Sequence, residues 1–239
     1  MTFVGIAARP GRAALRLSAS QLAAKVISAG PEHARIGLVA TTALLLGGDH
    51  VLVEVDVGAG CTLELVEMAG VVAYHGRGAS SSWTVRATVG ERARLFWHGE
   101  PFVVSDGADV RRSTSVELGS GAVAVLRETL VLGRSGEQGG RLVSTMSVRL
   151  CGVPLLSEEL AVTGERPTVG VLGTTRGSPH RVVDSALALG CRALDPPKAD
   201  VPGTRFDLDG PGTVLRWTGT DLAPSPIPVA WQRERNRWA

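Results

Sequence analysis

The chain has 239 residues, 44% of them apolar and 20% charged, which marks a globular rather than a disordered protein and suffices for one large domain. Its 25 Lys and Arg against 23 Asp and Glu give a formal net charge of +2, excluding a strong general pull toward nucleic acid or a membrane surface. Cys61, Cys151 and Cys191 are too few and too widely spaced for a disulfide framework or a paired-cysteine metal site, and they point to a reducing, cytoplasmic setting. No secretory signal pattern opens the sequence, and no apolar run is long enough to span a bilayer.

Residues 1–12 read as loosely ordered around Pro10-Gly11. Residues 14–20 suit a first strand, 21–29 either a strand or a helical turn, and the apolar run 36–46 another strand. From His50 the pattern sharpens. Val51, Val53, Val55 and Val57 share one face, with Leu52, Glu54 and Asp56 on the other. Beyond Gly58-Ala59-Gly60, Cys61, Leu63 and Leu65 alternate with Thr62 and Glu64. Period-two alternation around a glycine-rich turn predicts a half-buried β-hairpin.

The unit recurs at Gly90 and Gly119, which follow Gly58 at intervals of 32 and 29 residues. One position before each glycine stands Val57, Val89 or Leu118; three after it, Cys61, Ala93 or Ala122; seven after it, Leu65, Trp97 or Leu126. A looser fourth copy turns at Gly152. Self-similarity at about 30 residues means one supersecondary unit stacked on its neighbours. The expected fold is therefore all-β: an elongated stack of β-hairpin layers in a single domain over 1–239, its repeat-bearing body at about 40–165. The texture changes after Gly164. Residues 179–194 fit a helix, with Val182, Val183, Ala186 and Leu187 on one face, so one or two short helices belong to the C-terminal part. Residues 213–217 read as a late strand and 231–238 as a short basic amphipathic end.

Recognisable catalytic signatures are missing. There is no G-x-S-x-G, no P-loop and no G-x-G-x-x-G opening a helix. His33, His50, His75, His98 and His180 are scattered, without the close spacing of a transition-metal site. Glu100, Asp106 and Asp109 could serve as paired carboxylates for acid–base chemistry, but Asp106-Gly107 also reads as a plain turn. Gly47-Gly48-Asp49 reads as a turn too, its aspartate opposing any anion in the backbone amides. The glycine-rich stretch with Arg134, Ser135 and Glu137 is a solvated loop or a partner contact. On residues alone, the chain is a repetitive β scaffold or binder, with a carboxylate-dependent β-repeat enzyme or a generic binding module as the alternatives.

The order of several motifs resembles the urease accessory protein UreD (UreH) family. They are Leu46-Gly47-Gly48-Asp49, the strand through Gly58-Ala59-Gly60, the segment ending in Tyr74, Ala93-Arg94-Leu95-Phe96-Trp97 with Glu100-Pro101, Ser105-Asp106-Gly107-Ala108, and Arg111-Arg112. Glu128-Thr129-Leu130-Val131-Leu132-Gly133-Arg134 with Gly136-Glu137 looks like the family's E-x-x-x-LGR-x-x-GE stretch. The chain departs from the family pattern at residues 66–74 and at Trp97-His98-Gly99-Glu100-Pro101. The resemblance implies a non-enzymatic chaperone that joins UreF and UreG on apo-urease and assists nickel delivery. It also implies partner contacts at Tyr74, Glu100, Asp106, Arg134 and Glu137, no tightly bound cofactor, nickel passed transiently through the interior, and a homodimer as one arrangement within the complex. Which residues meet nickel is left open.

Overall fold

The structure, a computed structural model, describes residues 1–164, 180–192, 194 and 203–238. Its strands in chain order are β1 (Thr2–Ala7), β2 (Ala14–Ser18), β3 (Leu22–Ala29), β4 (His33–Ala40), β5 (His50–Val57), β6 (Thr62–Glu67), β7 (Val71–Ala73) and β8 (Ser81–Val89). There follow β9 (Arg94–Val104), β10 (Asp109–Leu118), β11 (Val123–Leu132), β12 (Arg141–Leu150), β13 (Val153–Thr163), β14 (Val182–Leu189), β15 (Thr204–Asp207) and β16 (Gly212–Gly219), then a helix, α1 (Ile227–Arg237). They build two sheets. The first runs β13-β12-β10-β8-β5-β1-β2, and the second β15-β16-β14-β11-β9-β6-β4-β3 with β7 beside β9.

β1, β5, β8, β10 and β12 of the first sheet run parallel, as do β4, β6, β9 and β11 of the second, so each coil of chain contributes one strand to each sheet and then climbs to the next coil. Register gives the pitch. His50 pairs with Ser82, Ser81 with Val110 and Asp109 with Arg141, steps of 32, 29 and 32 residues. The first two steps are the glycine spacings of the sequence. The stacked, all-β repeat architecture expected from those spacings is present, in the form of a β-solenoid.

The glycine turns, however, do not fold a strand back on itself. β5 and β6 lie in opposite sheets, as do β8 and β9, and β10 and β11. A face pattern is the same whether the next strand pairs with its predecessor or crosses to a facing sheet, so alternation alone suggested hairpins. Each corner instead hangs on the one below. The N–H of Gly58 donates to Ile6 O, that of Gly90 to Val57 O, and that of Gly119 to Val89 O, all at 2.8 Å. A Cβ on Gly90 would lie 2.8 Å from Ala59 N, and one on Gly119 2.9 Å from Glu91 N, so close stacking of the corners requires glycine there. The looser copy is the true hairpin. β12 and β13 pair antiparallel through Cys151 and Gly152, at φ of 51° and 77°, as a two-residue primed turn demands.

Inward positions stack into ladders between the sheets. Cys61, Ala93 and Ala122 are fully buried one above another, and Leu65, Trp97 and Leu126 continue the layer. Two expectations need correcting. The start of the chain is not loose: over residues 2–7, β1 packs Val4 and Ile6 into the core and pairs with both β2 and β5, whereas the exposed bend around Pro10-Gly11 lies outside a strand. The helix expected at 179–194 is strand β14, whose eight residues are all buried (positions 179 and 193 lie outside the described residues). β14 has the solenoid interior on one face and α1 on the other, and a strand covered on both faces reads as a continuous apolar run, which periodicity confuses with a helix. The helix occurs later. α1 opens with Pro228 in its first turn and lays Trp231 on the outer face of the second sheet, the indole N–H donating to Val125 O at 3.2 Å.

Candidate functional site

Because β7, β9 and β11 run parallel, their C-terminal ends emerge side by side and place three loops on one edge of the second sheet. These loops carry Tyr74, then Ser105 and Asp106, then residues 133–140. Ser105 Oγ donates to Ala73 O at 2.6 Å, and the N–H of Gly133 to Val104 O at 2.7 Å, tying each loop to its neighbour. Two carboxylates lock the longest loop. Asp106 Oδ1 accepts from the N–H of Gln138 at 3.0 Å and of Gly139 at 2.7 Å. Glu137 Oε2 accepts from the N–H of Arg134 at 2.9 Å and of Asp106 at 3.3 Å, while Oε1 accepts from Arg134 Nε at 2.9 Å. The Arg134 side chain, reinforced by these amides, draws the Glu137 carboxyl down to about 2. Gly133, Gly136 and Gly139 take φ of 71°, 80° and 97°, which accounts for the glycines of this stretch.

Four of the five residues assigned to partner contact thus meet at one edge. Asp106 and Glu137 shape the loops, whereas Tyr74 and Arg134 stay exposed beside an open basin of about 460 Å³ that also takes in Leu46 and His75. Gly47-Gly48-Asp49 is the turn expected of it, Asp49 Oδ2 accepting the N–H of Leu46 at 3.0 Å. Glu100 lies elsewhere, in the middle of β9, with His98 Nδ1 3.5 Å from its carboxylate. Asp109 pairs with Arg141 at 3.1 Å. Glu100, Asp106 and Asp109 are therefore held by separate partners.

A second feature lies between the sheets. Charged side chains occupy core-facing positions from the early coils to the last: Glu67 on β6, Arg112 on β10, Glu128 on β11, Glu158 on β13 and Arg216 on β16. Arg112 Nη2 donates to Glu128 Oε1 at 2.6 Å, and Thr114 Oγ1 joins the same oxygen at 3.3 Å. Arg112 Nε and Nη1 are buried without a protein acceptor among the described residues. Glu67 as a residue is only half-buried, but its carboxylate sits inside, accepting the Trp97 indole N–H at 3.1 Å and the N–H of Glu100 at 3.0 Å. Desolvation outweighs those donors and pushes the Glu67 pKa up to about 7. At the far end Arg216 holds Glu158 through both carboxylate oxygens and lowers its pKa. Glu128 borders both of two cavities of about 30 Å³ along this seam, each roomy enough for water. Among the described residues no three His, Cys, Asp or Glu side chains are grouped to hold a metal ion.

A third polar cluster is sealed under the connection to α1. Asp184 is fully buried, takes Arg127 Nε at 3.3 Å and Nη2 at 3.2 Å, and accepts Thr129 Oγ1 at 2.8 Å and Ser225 Oγ at 2.6 Å.

Sequence reasoning left the interior charges out of the site. The signal was available: each stands at the parity of its strand's core residues, Glu67 with Leu63 and Leu65, Arg112 with Val110 and Val116, Glu158 with Leu156 and Val162. A charge in phase with the core is the anomaly that period-two reading can detect.

Comparison with known proteins identifies the lineage. A family model described as UreD urease accessory protein matches residues 3–223. The chain belongs to the UreD family. Among curated relatives, urease accessory protein UreD 1 of Streptomyces griseus subsp. griseus is 44% identical over 192 residues, covering 80% of this chain and 72% of the relative. Urease accessory protein UreD 2 of Saccharopolyspora erythraea is 33% identical over 205 residues (82% and 71%), and urease accessory protein UreD of Streptomyces coelicolor 35% over 200 (82% and 77%). These names make this a urease accessory chain of UreD type. Among its described residues, no helix is long and apolar enough to cross a membrane.

Proposed function

We propose that this UreD-family chain is a non-catalytic scaffold of the cytoplasm that joins UreF and UreG on apo-urease and helps nickel reach the urease active site. The observation that carries this reading is the seam of interior charges from Glu67 to Arg216. A core made of dispersed carboxylates and guanidinium groups beside water-sized cavities costs stability. It makes sense where hydrated ions pass without being retained. Nickel is then cargo. Glu67, Glu128 and Glu158 offer successive oxygen ligands, and no resident cofactor is needed. The exposed Tyr74 and Arg134 provide the surface for a protein partner, and the complex accommodates a homodimer.

The test is co-expression of the tagged chain with UreF, UreG and apo-urease from its host, reading co-purification and urease nickel content. Co-purification with all three, and nickel content that collapses when the chain is omitted, is the expected result. Arg134→Ala is expected to weaken co-purification with an unchanged β-sheet circular dichroism spectrum. Full nickel loading of urease in the absence of the chain would overturn the proposal.

A further inference from the structure

On the outer face of the second sheet, beside the last turn of α1, lies a groove of about 480 Å³. We propose that it binds an extended acidic peptide segment of a partner protein. The inference rests on charge and shape and holds whether or not the nickel reading does.

Among the described residues, three guanidinium groups line this groove against one carboxylate. Arg235 Nη2 and Arg35 Nε, the latter at 3.4 Å, share Glu64 from opposite sides. Among the described residues Arg94 has no acidic partner in the groove. It donates Nη1 to Trp238 O at 3.0 Å and places its guanidinium 5.8 Å from the centre of the Trp238 ring. Both Glu64 oxygens are thus engaged while the three planar cations have more N–H donors than it can accept, a surplus of two positive charges among the described residues. Carboxylates are the ligands that such forks hold through two hydrogen bonds.

Shape narrows the ligand further. The lining comes from β3, β4, β6 and β9 in turn, so the groove crosses four strands, about 15 Å at ordinary strand spacing. That length suits four or five residues of extended peptide. Trp238 supplies an aromatic wall for a side chain between the acidic ones. A nucleic-acid backbone would require a far longer positive track than three arginines, in a chain whose net charge is only +2. Arg35 is about half exposed and Arg235 about a quarter, so the cluster is accessible yet held in place.

The experiment uses the purified full chain and a fluorescein-labelled Asp-Glu-Phe-Glu-Asp peptide, followed by fluorescence anisotropy at low and moderate salt. The all-amide peptide Asn-Gln-Phe-Gln-Asn and inorganic phosphate serve as comparisons. Saturable binding of the acidic peptide is expected, weakening as salt rises, with little binding of the amide peptide. Arg35→Gln and Arg94→Gln are each expected to weaken it about tenfold, the loss of one charge-assisted contact. Arg35→Gln keeps the test valid should Arg94→Gln loosen α1. No saturable binding, equal binding of the amide peptide, indifference to both substitutions, or displacement by phosphate at concentrations that also match peptide affinity would each overturn the proposal.

Discussion

Asp184 is a fully buried carboxylate with four hydrogen bonds from three side chains. It joins Arg127, Thr129 and Ser225, so that strands β11 and β14 and the entry to α1 share one anion. Asp184→Ala leaves a buried guanidinium uncompensated and is expected to cost about 3–5 kcal/mol, seen as a lowered urea midpoint at unchanged slope. A midpoint within experimental error of the parent would show that Arg127 finds another acceptor. The neighbouring His98 is held below its ordinary pKa by burial and then by Arg127. Glu137 gives a pH-dependent counterpart at the loop edge. Its folded pKa, about 2, lies below the ordinary glutamate value near 4.3, so its contribution is complete above that value and disappears as pH falls through about 2. Exchange protection of the Arg134 and Asp106 amides is expected to fade across that window ahead of the β-ladder amides; simultaneous loss of both would refute a separate loop transition. Asp106, Arg134 and Glu137 were legible as loop residues because turn residues and glycines announce loops, whereas their assignment to partner contact, with that of Tyr74, came from the family resemblance. Asp184 was not legible, since the stretch containing it reads equally well as one face of a helix.

At the level of elements, the corner glycines decide the architecture. The spacing of Gly58, Gly90 and Gly119 could be read from the sequence to the residue, and the registers of β5, β8 and β10 repeat it. The strands' destinations could not be read, since inward and outward parity is the same for a hairpin and for a crossing between sheets. That choice is made by non-local contacts, chiefly the backbone of the coil below. Gly90 tests it directly. At a hairpin tip, Gly90→Ala would be a mild change; here its Cβ would press on the backbone of Ala59, where no flexible side chain can yield. A loss of about 1–3 kcal/mol in chemical denaturation is expected, in the range of overpacked interiors. A loss below about 0.5 kcal/mol, the usual size for a surface substitution, would contradict corner stacking.

For the whole molecule, fold class was accessible from sequence because one pattern is written three times, whereas the function was accessible only through the order of family motifs. Nothing local in the sequence linked Glu67, Arg112, Glu128, Glu158 and Arg216, which come from five strands in two sheets and meet only once the coils are stacked. The basic groove was equally hidden. Arg35, Arg94 and Arg235 are distant in sequence and become neighbours through the parallel register of β4, β6 and β9 and the return of α1 across the second sheet.

The reversed strands at the ends of the stack have a consequence for self-association. A parallel coil has polarity: its top would accept the bottom of an identical molecule, and such head-to-tail contacts propagate without limit. Here the edge strands β2 and β3 at one end, and β13 and β15 at the other, run against the parallel coil strands of their sheets. An incoming molecule would therefore meet a strand pointing the wrong way for continued winding. Exposed Lys25 on β3, with Pro154 and Glu159 on the outermost strand β13, further discourages edge pairing. Reversed edge strands at both ends of the stack thus disfavour continued head-to-tail winding.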